Sequence, residues 1–346
     1  MIARITRILL LAQLAVAILV ALAIMNRWPQ LPVIPAALFG VDVVLLLRAG
    51  IVANNFRIAS RFSCDPPRAV AAASALLQMF LGELRATLVS SSWHMPFCRL
   101  DPAPTVCGGG LPVLLVHGYG CNSGYWQPMA REFRAAGISF HAVDLEPVLG
   151  DIDGYLPQVS RAIDILRAAT KASQVVIVAH SMGGLVARAW LSENGWQKVT
   201  KLITLGTPHQ GTGLAQFGIG KNAAQMCSND NPADPACNPW LARLNSVPDQ
   251  RRERIVSLYS TQDNIIAPAT SACLPGATNI AFACIGHVAL ASTASVISCV
   301  IDFVRQANAS AHGDERDRSG NENSAPGPGN AAIAVQSISI QEKPSS

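Results

Sequence analysis

The chain has 346 residues, enough for one α/β domain of roughly 200 to 250 residues with accessory segments. Half of the residues are hydrophobic and 14% are charged, which excludes a disordered chain and calls for a large core, a membrane segment, or both. A net charge of +4 without any dense Lys or Arg run excludes nucleic acid as a partner.

At the amino terminus, Arg4 and Arg7 precede an uncharged stretch from Ile8 to Met25. As a helix it measures about 27 Å, close to the hydrocarbon thickness of a bilayer. Ala21-Leu22-Ala23 resembles a small-residue cleavage site, so a permanent anchor, which we favour, and a removable signal peptide are both open. A second apolar stretch, Leu31 to Leu47, contains Pro32, Pro35 and Asp42. A lone Asp at mid-membrane costs about 2.5 to 3.5 kcal/mol, which leaves a full crossing and a re-entrant or interfacial segment as alternatives. If it crosses, Arg48, Arg57, Arg61 and Arg68 favour a cytoplasmic flank. Residues 1–56 are thus expected to form a membrane anchor and 57–110 a helical linker, with a helix over Ala69 to Ser90 carrying Glu83 and Arg85.

From residue 111 the pattern changes. Leu111–Val116, Ile138–Val143, Gln174–Val178, Lys201–Leu205 and Arg254–Tyr259 read as buried strands. Between them, Trp126–Ala136, Leu156–Ala169 and Met182–Glu193 carry apolar residues at helical spacing. This alternation predicts an α/β fold, a mostly parallel sheet with helices on both faces, over residues 111–307. Residues 208–247, rich in Gly, Asn, Asp and Pro, are too long for a connector and read as an insertion or lid over the site. Residues 308–346, dominated by Ser, Gly, Asn and Pro, are expected to be a disordered tail.

The chemistry centres on Val175-Val176-Ile177-Val178-Ala179-His180-Ser181-Met182-Gly183-Gly184, a buried strand running into Ser and then a helix. A nucleophilic Ser must be held clear of the backbone in a sharp strand-to-helix turn, which admits only small residues two before and two after it. Ala179 and Gly183 meet that demand, although the general motif has Gly at both places. The alternative is a Ser in an ordinary helix cap.

On these residues the chain resembles the bacterial lipases and esterases of the α/β-hydrolase superfamily, whose elbows often read AHSMGG. Leu115-Val116-His117-Gly118-Tyr119-Gly120 looks like their oxyanion-hole loop, and Leu205-Gly206-Thr207-Pro208-His209-Gln210-Gly211-Thr212 looks like their GTPH segment. The resemblance covers roughly Leu111 to Arg305. It implies a Ser181 nucleophile and an oxyanion hole made by the backbone N–H groups of Tyr119 and Met182. His117 is expected to be structural.

The base should follow both the nucleophile and the acid in chain order. Of the three candidates, His209 lies in the GTPH segment, where the family uses it structurally, and His312 lies in the tail, which leaves His287. Asp263 follows the strand ending at Tyr259 and precedes two apolar residues and Pro268, as the family's acid does. Asp230, Asp234 and Asp249 have no preceding strand. No Asp or Glu lies between Asn264 and Gly286, which counts against the calcium site some lipases build there, and no C-x-x-C or zinc-type His spacing occurs. No cofactor or metal is expected.

The implied function is a serine carboxylester hydrolase acting on lipid or acyl esters at a membrane. Acyl transfer and thioester hydrolysis are alternatives on the same triad, and an inactive membrane scaffold is the alternative of another class. Leu214, Phe217, Ile219 and Trp240 are candidates for an apolar lid or substrate surface, against ordinary core packing. Among nine cysteines, Cys227 with Cys237 and Cys273 with Cys284 read as two disulfides of an oxidising compartment, against buried free thiols. The resulting expectation is anchorage in a bacterial inner membrane with an extracytoplasmic catalytic domain.

Overall fold

The computed structural model describes residues 1–62, 73–228, 238–247 and 251–321. Two compact units divide the chain, Met1–Asn308 and Ala309–Ser346; of the second, the described part is a helical stretch ending at Asn321.

Two long helices open the first unit, α1 (Ile2–Arg27) and α2 (Val33–Phe62). Both are long and apolar enough to cross a membrane. They meet through small residues, with Ala17, Ala21, Ala36 and Gly40 buried, and a Cβ on Gly40 would collide with the Ala17 carbonyl oxygen. Their other faces leave Leu11, Leu14, Leu19, Ile34, Leu38 and Leu46 exposed. The second apolar stretch is therefore an unbroken helix and not a re-entrant loop. Pro32 and Pro35 fall just before it and within its first turn, where a missing N–H costs no helical bond. Met1 and Arg7 tie the start of α1 to the rest of the unit, Met1 through Glu146 and Arg7 Nε through a hydrogen bond to the Pro96 carbonyl (2.9 Å).

Helix α3 (Ala73–Val89) runs into a five-residue π-helical turn, Ser90–His94, and the short α4 (Met95–Phe97). A six-stranded, all-parallel sheet follows: β1 (Val113–Val116), β2 (Phe140–Val143), β3 (Val175–His180), β4 (Val199–Leu205), β5 (Ile255–Ser260) and β6 (Thr278–Phe282). Its order is β2-β1-β3-β4-β5-β6. The five strands read from the sequence form within three residues of their expected ends. The sixth, β6, is the half-exposed edge, so it lacks the apolar run that marks the others.

Alternate residues of a strand face opposite ways, and each face has its own core. Leu114, Val116, Val175, Ile177 and Ala179 pack with α6 (Leu156–Thr170) and α7 (Met182–Asn194). Val113, Leu115, Val176 and Val178 pack with α5 (Gln127–Ala135) and α10 (Ala294–Asn321). The last helix corrects one expectation: residues 308–321, read as disordered tail, continue α10. Residues 322–346 lie outside the described residues.

The insertion contains a 3-10 turn, Gly213–Phe217, with α8 (Lys221–Met226) and α9 (Pro239–Ser246). Cys237 lies outside the described residues, so the first expected bridge is not tested. The second is not formed, because Cys273 and Cys284 are both free. They flank β6 at its opposite ends, and five extended residues span about 16 Å, far beyond the roughly 7 Å Cα separation a disulfide tolerates.

Candidate active site

Parallel strands bring all their carboxyl ends to one edge of the sheet, and the chemistry collects there. Ser181 ends β3 with φ 54° and ψ −126°, a left-handed conformation that a side chain resists. Its N–H donates to the Leu205 carbonyl (2.9 Å), and its own carbonyl accepts from Thr207 Oγ1 (2.9 Å), so the neighbouring strand end braces the turn. The need for small neighbours is steric. A Cβ on Gly183 would stand 2.6 Å from the His117 carbonyl oxygen, and one on Gly118 would stand 2.9 Å from Ser181 Cβ. The loop 117–120 therefore abuts the elbow, with Tyr119 directly after the close approach and Met182 opening α7.

Asp263 follows β5 and His287 follows β6. They meet through His287 Nδ1 and Asp263 Oδ2 at 2.8 Å, both side chains buried. The other carboxylate oxygen, Oδ1, accepts the N–H groups of Ile265 (2.8 Å) and Ile266 (2.7 Å), which fixes the carboxylate's direction toward the imidazole. Burial pushes the His287 pKa down, but the charge and hydrogen bond of Asp263 outweigh it and, with a further contribution from Glu83, hold it above the ordinary imidazole value. The strand end that carries Ser181 lies close to this pair. Leu205 is bonded to Ser181, and a Cβ on the next residue, Gly206, would lie 3.1 Å from His287 Nδ1 and 3.2 Å from Asp263 Oδ2. The rival acids Asp230, Asp234 and Asp249 lie outside the described residues.

His117 and His209 are held by structural hydrogen bonds. His117 Nε2 accepts the Leu145 N–H (3.0 Å), so its Nδ1 carries the proton and donates to the Gly118 carbonyl (2.9 Å): a neutral tautomer that shapes the loop. His209 is fully buried between Arg188 (3.3 Å) and Thr204 (3.2 Å), and burial followed by the Arg188 charge pushes its pKa well down. Residues that sequence reasoning passed over complete the histidine turn. His180 Nε2 donates to the His287 carbonyl (3.1 Å), and its ring lies 4.5 Å from that of His287 and 4.6 Å from that of Tyr125. Asn264 Oδ1 accepts the His287 N–H (2.9 Å), and the Tyr125 hydroxyl donates to the Val288 carbonyl (3.1 Å).

Of the four lid candidates, Phe217 and Ile219 are exposed by 66% and 71%, while Leu214 is partly buried. Ile219 is tied to the loop 117–120: its carbonyl accepts from the Tyr119 hydroxyl (2.8 Å), and its N–H donates back (3.1 Å). Trp240 differs from expectation. Its ring packs on the main core and its Nε1 donates to Asp153 (2.9 Å), which makes it a fastener of α9 to the domain.

The parallel sheet, the elbow at Ser181 and the acid–histidine pair on one edge define an α/β-hydrolase fold. The PGAP1-like alpha/beta domain family matches residues 108–230, and this chain is similar to triacylglycerol lipases and esterases. It is 29% identical to a triacylglycerol lipase of Pseudarthrobacter phenanthrenivorans over 123 residues, 33% of this chain and 38% of the relative. Over 182 residues it is 25% identical to the GPI inositol-deacylase of Candida albicans, 46% of this chain and 40% of the relative. The chain thus spans less than half the length of these curated relatives. The Bacillus licheniformis lipase BlEst2 in its propeptide form superposes with a TM-score of 0.49 at 18% identity, covering 59% of this chain and 52% of that one.

Proposed function

We propose that the protein is a membrane-held serine carboxylester hydrolase that cleaves acyl esters of lipids through an acyl-enzyme on Ser181. The observation that carries this reading is the strained Ser181 on the sheet edge that also holds the hydrogen-bonded Asp263–His287 pair. In this mechanism His287 takes the Ser181 proton as the hydroxyl attacks the ester carbonyl. Asp263 holds the imidazole tautomer and offsets its charge, and the N–H groups of Tyr119 and Met182 receive the oxyanion. His287 then protonates the leaving alcohol, and water releases the acid by the same route. A lipid-borne ester is supported by the apolar helices and by the similarity to a triacylglycerol lipase and a GPI inositol-deacylase. Exposed Trp93 and Phe97 beside the start of α1, with Phe217 and Ile219 on the insertion, supply apolar surface suited to a bilayer interface. The test is a fluorophosphonate probe followed by acyl esters of graded length. Covalent labelling that disappears in Ser181→Ala, with turnover rising as long-chain ester passes into an aggregated phase, is expected. A wild-type protein that neither labels nor hydrolyses any ester of the series would sink the reading.

For orientation we infer a helical hairpin with the catalytic domain on the cytoplasmic side. Arg4, Arg7, Arg48, Arg57 and Arg61 lie toward the domain end of the two helices, whereas only Arg27 sits near the hairpin tip. That asymmetry favours a cytoplasmic domain. The expectation of an extracytoplasmic domain rested on an open second crossing and on two disulfides; α2 is continuous and Cys273 and Cys284 are free, while Cys237 lies outside the described residues. In intact cells a membrane-impermeant maleimide should react with a Gln30→Cys variant at the tip and spare the exposed Cys107 until lysis. Labelling of Cys107 before lysis would reverse the orientation.

A further inference from the structure

A carboxylate buried without partners is costly, so a buried Glu demands an account of what it holds. Glu83, on the membrane-proximal helix α3, is 1% exposed. Its Oε1 accepts the N–H of Val288 (3.0 Å) and its Oε2 the N–H of Ala289 (2.9 Å), the two residues directly after His287. On the other side of His287, a Cβ on Gly286 would come within 2.5 Å of Glu83 Cδ, so the absent side chain lets the carboxylate seat against the backbone. The rest of the turn is held from within the hydrolase segment. Gln262 accepts the Cys284 N–H (2.8 Å), Ser260 donates to the Ile285 carbonyl (2.5 Å), and Asn264, His180 and Tyr125 bond the backbone of His287 and Val288 as above. Glu83 reaches in from outside that segment.

We propose that Glu83 is a positioning residue, a clamp by which the membrane-proximal helix fixes the turn that carries the His287 imidazole. Among the described residues its hydrogen bonds go to the backbone of this turn and not to the His287 imidazole. The inference rests on the reading of Ser181, His287 and Asp263 as a hydrolytic triad. Electrostatics supplies a signature that packing alone would not. The groups facing His287 are Asp263 from the loop after β5, Glu83 from α3, His180 from the end of β3 and the Tyr125 phenol. Arg48 of α2 lines a 180 Å³ cavity with Glu83, Thr87, Asn264 and Val288. Burial raises the Glu83 pKa, the two N–H donors oppose that rise, and the Glu83 charge adds to that of Asp263 in favouring the imidazolium form of His287.

The test uses the full chain in mild detergent with Glu83→Gln, which keeps the shape and removes the charge. A short-chain soluble ester gives kcat and KM across pH. Nitrogen-15 histidine labelling gives the His287 titration directly, its signal identified by its loss in His287→Ala. In Glu83→Gln we expect kcat to fall on the order of 10- to 100-fold with KM little changed, the scale of a small misplacement of a catalytic group. The acid limb and the His287 titration should both move to lower pH. Glu83→Asp keeps the charge but withdraws it by one methylene. It should lose kcat while leaving the titration near its wild-type position, and it carries the test if the Gln variant does not fold. Wild-type kcat in either variant, or an unmoved His287 titration in Glu83→Gln, overturns the clamp. Failure of the triad itself would show separately, as turnover in the wild-type chain that survives Ser181→Ala, and the His287 titration would still report on Glu83.

Discussion

Ser181→Ala is expected to reduce ester hydrolysis about 10⁶-fold, and His287→Ala by a similar factor, because in the proposed mechanism nucleophile and base act as one unit and removing either removes the covalent route. Asp263→Asn should cost about 10⁴-fold, since an amide facing His287 Nδ1 favours the wrong imidazole tautomer while leaving the geometry intact. All three variants should fold: the backbone bonds of Ser181 to Leu205 and of His287 to Asn264 do not use the substituted side-chain atoms, and Asp263→Asn keeps an amide oxygen to accept the Ile265 and Ile266 N–H groups. The pH dependence has a definite sign. Only the neutral imidazole is a base, and Asp263 with Glu83 raises the His287 pKa against the opposing effect of burial. Turnover should therefore rise with pH through a limb lying above the ordinary imidazole value near 6.5. Kinetics with a purified, folded Ser181→Ala protein decide the matter, and turnover at the wild-type rate would remove Ser181 from the mechanism.

The second large effect concerns where the catalytic unit begins. A chain starting at Leu111, where the sequence pattern changes, should lose most of its stability and its reaction with a fluorophosphonate. A chain starting at Ala73 should retain both. The missing piece is built into the domain. Met95 and Leu100 are buried, and each contributes about 1.5 to 3 kcal/mol by leaving water. The buried Asn122 amide donates to the Met95 carbonyl (2.9 Å) and Gln127 to the Cys98 carbonyl (2.6 Å). Losing such an acceptor leaves a buried donor unpaired at roughly 1 to 3 kcal/mol. Thr105 and Phe140 exchange two backbone hydrogen bonds of 2.8 and 2.9 Å, and Glu83 leaves with the same piece. Together these terms are comparable with the 5 to 15 kcal/mol that holds a typical domain folded. Thermal unfolding of the two truncated chains, compared side by side, is the measurement. Equal midpoints and equal labelling would return residues 73–110 to the status of a linker.

The buried strands were legible because a parallel sheet covered on both faces needs unbroken apolar runs, and Val113–Val116 and Val175–His180 are such runs. Edge strand β6 had no comparable signal, since Thr278 and Asn279 face solvent at its start. Ser181, Asp263 and His287 could be singled out because chain order and local motif restrict the candidates strongly, and the fold sets the last two in hydrogen-bond contact. Glu83 could not: a single acid on an apolar helix looks like a solvated position until the fold brings α3 against the turn 200 residues later. One hint was present, an acid within Leu81-Gly82-Glu83-Leu84 on a helix with few other charges. Cysteine spacing misled because nearness along the chain becomes separation in space when the intervening residues are extended, as β6 makes of Cys273 and Cys284.

The backbone at Ser181 bears on how such a site persists. A non-glycine residue held at φ 54° and ψ −126° costs on the order of 1 to 3 kcal/mol, and a glycine would occupy the same geometry almost freely. Reactivity and durability therefore pull residue 181 in opposite directions. Exchanging this serine for glycine would relieve that cost, so a serine kept at such a backbone geometry is what the proposed nucleophile role would require.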